Sequence, residues 1–255
     1  MTDAVNSTDG RVAELTTSLA AARARLARAA DAAGRAVEDI ALLPVTKFFP
    51  ASDVAILWRL GCRAFGESRE QEASAKIAEF DTLVGDQSEA RPARWHMIGL
   101  IQSNKAKYIA RWADSVHSVY TEKVVSALGR ATEVAMAEGR QSRMRVFVQI
   151  SLDGDPGRGG VDIGDPAAVD RLCAQVAESE ALDLVGLMTI PPLGADPDPA
   201  FTALAAEHRR VLRSHPGATG LSAGMSDDLE AAVRHGSTCV RVGTALMGRR
   251  PLTSP

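Results

Sequence analysis

A single lysine lies among apolar neighbours in the segment Pro44-Val45-Thr46-Lys47-Phe48-Phe49-Pro50. An apolar setting penalises the ammonium form and lowers a lysine's pKa. A lysine that is neutral near pH 7 attacks aldehydes and forms Schiff bases. The same pattern also suits a lysine that ends a strand and extends its ammonium into water. Towards the C-terminus, two short apolar runs pass into small and hydroxyl residues. One gives Leu221-Ser222-Ala223-Gly224-Met225-Ser226, the other Val240-Arg241-Val242-Gly243-Thr244-Ala245. Ser222 and Thr244 offer hydroxyls, and Gly224 and Gly243 let backbone N–H groups approach an anion closely. The same glycines also fit ordinary turns. Arg241 alternates with Val240 and Val242, so it faces the opposite way and, if buried, needs a partner. A nucleophilic lysine combined with an anion cradle indicates a phosphorylated aldehyde.

Other polar groups end other apolar runs. Phe65-Gly66-Glu67-Ser68 closes one of them, and Trp95-His96-Met97-Ile98-Gly99 is followed by Gln102-Ser103-Asn104-Lys105. His96, like His117 further on, fits either acid–base work or a hydrogen-bonded structural position. No cluster with metal-ligand spacing is present.

These residues must be held by regular elements, and the periodicity supplies them. Strand candidates are Ile40–Thr46, Cys62–Phe65, Trp95–Ile98, Ser115–Val119, Arg145–Ile150, Leu184–Thr189, Gly220–Ala223 and Cys239–Val242. Helices are expected near 52–60, 69–80, 103–112, 121–138, 166–179, 199–213 and 226–235. Ser52 or Asp53 can cap the first of these helices and Ser226 the last. Eight strands alternating with helices predict an α/β fold, and eight is the number that closes a (β/α)8 TIM barrel. A doubly wound open sheet is the alternative, but no Gly-rich fingerprint follows the first strand. In a barrel the chemistry sits at the carboxyl ends of the strands, with phosphate sites after strands seven and eight.

An extra helix precedes the barrel. Val12, Leu15, Leu19, Ala22, Leu26 and Ala30 form one apolar stripe that ends near Gly34. Residues 1–10 are expected as a disordered tail, and residues 11–255 as a single domain. Two long loops are expected, a polar one at 81–94 and a Gly- and Pro-rich one at 153–166.

The 255 residues carry a net charge of −3, with 45% hydrophobic and 4% aromatic residues. That balance excludes whole-chain disorder and a polybasic nucleic-acid binder. The three cysteines, Cys62, Cys173 and Cys239, form no Cys-x-x-Cys pair and suit a reducing cytoplasm. No signal segment or apolar run long enough for a membrane is present.

The segments LLPVTKFFP (42–50), FGESREQE (65–72), WHMIGLIQSNKAK (95–107), VHSVYTEK (116–123), VGLMTI (185–190) and LSAGMSDDLEAAVRHGSTCVRVGTALMG (221–248) resemble the YggS/PROSC family of pyridoxal-phosphate homeostasis proteins. The family's barrel is similar to the N-terminal domain of alanine racemase, a PLP fold type III architecture. The resemblance implies pyridoxal 5'-phosphate (PLP) as cofactor, held as a Schiff base on Lys47. It places Ser222, Gly243 and Thr244 around the phosphate and Arg241 at the pyridine nitrogen, and Gly224 and Met225 are further cofactor-binding candidates. Asn104, Glu67 and Ser68 complete the rim. Ser68 stands where the family commonly has Asn. Arg158 stands where many members have lysine, which removes any aldimine chemistry from that loop.

Guanidinium donates only, so a ring nitrogen facing Arg241 stays unprotonated and the ring is a weaker electron sink. No second domain with a partner base is expected here. Tyr108 and Tyr120 lie in or beside mid-chain helices. The leading expectation is a cytoplasmic, monomeric PLP carrier in vitamin B6 homeostasis with little or no catalysis and no catalytic residue. Its partners would be PLP and, as candidate recipients, PLP-dependent apoenzymes. No nucleic acid, membrane or metal is expected as a partner. The alternatives are a PLP-dependent amino-acid racemase using His96 or Tyr108 as second base, a phosphosugar enzyme with a Schiff-base lysine, and an adaptor acting through its first helix.

Overall fold

Parallel pairing of short apolar strands organises the computed structural model, which describes residues 2–87, 92–192, 194 and 196–249. In chain order the elements are α1 (Thr2–Ala32), β1 (Ala41–Pro44), α2 (Ala51–Arg59), β2 (Ala64–Glu67), α3 (Glu70–Val84), β3 (Arg94–Met97), α4 (Ala106–Trp112), β4 (Ala113–Val119) and α5 (Glu122–Ala137). Then follow β5 (Met144–Ser151), β6 (Val161–Asp162), α6 (Pro166–Ala177), β7 (Leu182–Thr189), α7 (Pro197–Leu212), β8 (Gly220–Ser222), α8 (Leu229–Arg234), β9 (Cys239–Val242) and α9 (Thr244–Met247).

The sheet runs β1-β9-β8-β7-β5-β4-β3-β2 with every pair parallel. A bridge between Val45 and Gly66, with Thr46 N donating to Gly66 O at 3.0 Å, joins the two ends and closes the barrel. The eight expected barrel strands are all present, with ends shifted by up to two residues. β6 was not expected. Two residues long, it lies inside the Gly- and Pro-rich loop and pairs with the end of β5, too short to show periodicity.

Local chemistry explains several helix starts. Thr121, Asp165 and Asp196 accept backbone N–H groups at the N-caps of α5, α6 and α7, and proline occupies the first turn of the last two. Other expected caps are not used. Asp53 lies inside α2, and its carboxylate takes Arg11 instead. Ser226 does not cap α8, which begins at Leu229 after Asp228. Helix α3 reaches Val84, which shortens the expected 81–94 loop; residues 88–91 lie outside the described residues.

α1 starts at Thr2 rather than after the expected 1–10 tail. No proline interrupts its first turns, and the single Gly10 costs only about 1 kcal/mol relative to alanine. Its Leu15, Leu19, Leu26 and Ala30 are buried in one cluster with Val54, Leu57, Leu246 and Met247, whereas Val12 is exposed. The three leucines contribute on the order of 6 kcal/mol of burial. Arginines on α1 then reach neighbouring elements. Arg11 Nη2 donates to Asp53 Oδ2 at 2.6 Å and Met247 O at 3.0 Å. Arg25 binds Glu230 through two 2.6 Å bonds and donates to Ser226 O at 2.5 Å. α1 thus braces the helices outside the β1–β9 seam. Among the described residues no helix is long and apolar enough to cross a membrane.

Candidate functional site

β1 ends in a tight turn around Lys47. Phe49 N donates to Thr46 O at 3.1 Å. Phe48 adopts φ 70°, the one positive φ of a non-glycine residue among the described residues. Such a residue costs on the order of 1–3 kcal/mol and persists only where its surroundings enforce it. The turn leaves Lys47 half-buried, with Nζ 5.8 Å from the centroid of the Phe48 ring, which also takes the Arg69 guanidinium at 5.3 Å.

The β9 rim lies beside this turn because β1 and β9 are neighbours. Val45 N donates to Val242 O at 2.9 Å. A Cβ added to Gly243 would meet nothing closer than Val45 Cβ at 3.6 Å. That is ordinary contact, so protein packing does not demand glycine at 243, and the contact is with the residue two before Lys47. Thr244 and Ala245 are exposed, and Ser226 Oγ accepts from Ala245 N at 3.4 Å. Half-buried Met225 donates its N–H to Asp228 Oδ1 at 2.5 Å. Hydroxyls and first-turn N–H groups are thereby gathered on one rim, as an anion requires.

Beneath the rim, a hydrogen-bonded chain crosses the barrel interior. Arg241 Nη1 donates to Ser222 Oγ and Ser222 O, each at 2.7 Å, and Nη2 donates to Thr189 O at 2.7 Å. His117 Nδ1 lies 2.8 Å from Ser222 Oγ, and His96 Nδ1 lies 2.9 Å from His117 Nε2. His96 Nε2 ends the chain 4.0 Å from Asp114 Oδ2. Burial lowers the His96 pKa to about 3 and holds His117 well below the ordinary value, with Arg145 adding to both. Burial also lowers the Arg241 pKa, although a guanidinium keeps its proton in proteins. The expected partner for a buried Arg241 is thus found.

The structure redistributes several expected site residues. Ser222 is buried in the interior chain, where its hydroxyl is bonded to Arg241 and lies beside His117. The sequence offers Ser226, the second serine of the same motif, only as a helix cap, whereas the structure sets its hydroxyl on the rim beside Ala245. Gly224 has φ +94°, and a Cβ there would lie 2.6 Å from Ala232 Cβ. Packing on α8 accounts for that glycine. Glu67 is fully buried rather than at the rim; its Oε1 accepts from Thr46 Oγ1 at 2.6 Å and Lys76 Nζ at 2.8 Å. β2 closes the barrel against Thr46, which turns Glu67 towards the interior of the wall. Asn104 is exposed after β3, in a different sector of the rim from β9. Ser68 is half-buried; its backbone would be overlapped by any Cβ at Gly99.

A cavity of about 950 Å³ opens beside the Lys47 turn, between Phe48, Ser68, Arg69, Leu100 and Lys105. It lies on the α2–α3–α4 side, away from Arg241 and Thr244. No group of three or more His, Cys, Asp or Glu among the described residues is placed to hold a metal ion.

Comparison with known proteins agrees with this architecture. The family described as "Alanine racemase, N-terminal domain" matches residues 17–251. A pyridoxal phosphate homeostasis protein of Mycobacterium tuberculosis is 62% identical over 248 residues, covering 96% of each chain. One from Escherichia coli is 35% identical, covering 91% of this chain and 95% of its own. PipY of Synechococcus elongatus, solved with PLP bound, superposes with a TM-score of 0.75 at 29% identity, covering 92% of this chain and 100% of its own. The chain belongs to the family of pyridoxal phosphate homeostasis proteins, built on the alanine racemase N-terminal fold.

Proposed function

We propose that this protein binds PLP at the β1–β9 rim, carries it on Lys47, and serves PLP homeostasis with little or no catalysis of its own. The observation that carries this reading is the adjacency of the Lys47 turn to the Gly243–Thr244 rim, with Val45 N bonded to Val242 O at 2.9 Å and a Cβ built on Gly243 lying 3.6 Å from Val45 Cβ. The residues present fit the cofactor. Gly243, Thr244 and Ser226 suit a phosphate monoester, and the Lys47 amine suits an aldehyde. When bound, PLP supplies that aldehyde, to which a lysine amine adds with loss of one water.

Arg241 would donate to the ring nitrogen, and as a permanent donor it can accept no proton there. It therefore withholds the support that carbanion chemistry draws from a protonated ring. The groups that could serve as a second base are committed elsewhere. His96 is buried against His117. Tyr108 is exposed on α4 beside Lys105 and Lys107. Both features support a carrier over a racemase. We further propose that the protein acts in the cytoplasm as a monomer, delivering PLP to apoenzymes.

The test is an absorbance spectrum of purified protein with PLP, followed by challenge with L- and D-alanine. The expected result is a band absent from Lys47→Ala, with the enantiomer ratio unchanged. Racemisation at ordinary enzyme rates would overturn the carrier reading.

A further inference from the structure

Lys47 stands between two backbone groups that one buried charged cluster holds. On its N-terminal side, every polar atom of Thr46 is bonded. Thr46 N donates to Gly66 O at 3.0 Å, and Thr46 Oγ1 donates to Glu67 Oε1 at 2.6 Å. Thr46 O accepts from Lys76 Nζ at 2.8 Å and from Phe49 N at 3.1 Å. On its C-terminal side, Phe48 N donates to Glu72 Oε1 at 2.6 Å. The two sides are joined, because Lys76 Nζ also pairs with Glu67 Oε1 at 2.8 Å and Glu72 Oε1 at 3.5 Å.

Lys76 is 6% exposed and Glu67 0% exposed, so this ion pair lies in the protein interior. Buried pairs of this kind add little net stability compared with apolar residues of similar size. Stability alone is therefore a weak account of the cluster, whereas geometry is a strong one. Glu72 and Lys76 are four residues apart on α3 and so share one face of that helix. They grip the amide and the carbonyl that flank Lys47, across a turn whose Phe48 is in the left-handed region.

We propose that Glu72 and Lys76, with Glu67 between them, are positioning residues that fix the Lys47 backbone for reaction with the aldehyde of PLP. The proposal rests on the role assigned to Lys47 above. α3 contributes no atom to the reaction in this account; it sets where the Lys47 side chain starts. Misplacing a reacting group by about 1 Å can cost on the order of a hundredfold in rate.

The test uses the full chain and the variants Glu72→Ala, Glu72→Gln and Lys76→Met. Three quantities are read: hydrogen exchange of the Phe48 amide without PLP, the rate at which the Lys47-dependent band grows with PLP, and the melting temperature. Glu72→Ala is expected to speed Phe48 exchange and slow band growth, each by about tenfold or more, with little change in melting. Glu72→Gln keeps an oxygen acceptor and is expected to restore both. Lys76→Met is expected to slow band growth at least as much; if it fails to fold, the two Glu72 variants decide.

Band growth within twofold of wild type in Glu72→Ala would overturn the proposal, as would unchanged Phe48 exchange. Absence of any Lys47-dependent band in the wild-type protein is a separate outcome. It would overturn the PLP reading itself, and this proposal with it.

Discussion

His96 Nδ1 lies 2.9 Å from His117 Nε2 in the barrel interior, so one proton must sit between two imidazole nitrogens. The rest of the chain decides which nitrogen carries it. Arg241 can only donate, so Ser222 Oγ accepts from it at 2.7 Å. The Ser222 hydroxyl keeps one proton, and His117 Nδ1, at 2.8 Å, is an acceptor in its reach. With Ser222 donating to His117, the expected arrangement has the His117 proton on Nε2, donated to His96, and the His96 proton on Nε2, 4.0 Å from Asp114 Oδ2. A head-to-tail run of dipoles from the Arg241 cation to the Asp114 carboxylate is also the favourable alignment. Nitrogen-15 NMR at neutral pH is expected to show both rings as Nε2–H tautomers; Nδ1–H signals would reverse the chain.

The same pair makes stability depend on pH. His96 has a folded pKa of about 3 against an ordinary 6.5, and burial also holds His117 well below 6.5. Between those values the unfolded chain binds protons that the native state refuses. Stability is therefore expected to fall as pH drops from 6.5 towards 3, by about 1.4 kcal/mol per pH unit for His96, with His117 acting in the same direction. Urea titrations across pH 4–7 measure the slope. His117→Asn is expected to reduce it, and an unchanged slope would remove His117 from the explanation.

Two rim glycines should respond differently to alanine. Gly243 has φ −105°, and its nearest contact for an added Cβ is 3.6 Å. Gly243→Ala is expected to keep the fold but weaken PLP binding on the order of tenfold, because a side chain at this position hinders the close approach of an anion to the backbone. Gly224 has φ +94° with Ala232 Cβ at 2.6 Å, so Gly224→Ala should destabilise by about 2 kcal/mol or more. Paired denaturation and PLP titrations separate the two.

The two serines of the same motif should also differ. Ser226→Ala removes a rim hydroxyl and is expected to weaken PLP binding by about tenfold with stability little changed. Ser222→Ala leaves Arg241 and His117 each short of a buried partner, costing about 1–3 kcal/mol of stability. Equal effects of both on binding alone would contradict this division.

The α1 brace is testable at Arg11. Arg11→Met leaves the Asp53 carboxylate, only 5% exposed, without its guanidinium. The N-terminal turn of α2 still faces that carboxylate, so the expected loss is about 2 kcal/mol rather than more. Urea unfolding of the full chain checks it, and a loss below a few tenths would mean that the Arg11 contacts do not help to hold α1.

The barrel was legible in the sequence because strand and helix periodicities are local. Eight apolar runs with helices between them leave few ways to bury both faces of a sheet. The Lys47 turn and the strand ends of β8 and β9 were legible for the same reason, since barrel topology brings strand ends to one rim. The stripe from Leu15 to Ala30 on α1 was read from spacing alone. The start of α1 and the two-residue β6 were not, because neither carries an apolar period of its own.

The sequence by itself determined which residue types the candidate site draws on: a lysine among apolar neighbours, an arginine alternating with valines, and glycines with hydroxyls at strand ends. Only the tertiary structure decided which of them face one another. Ser222 and Ser226 are four residues apart in one motif, yet one is buried under the rim and the other lies on it. Glu67 looked like a rim residue and instead meets Lys76 inside the wall. Spacing along a chain fixes the face of a strand on which a side chain lies. Its depth and its partners come from strands and helices distant in sequence, and so appear only when the barrel closes.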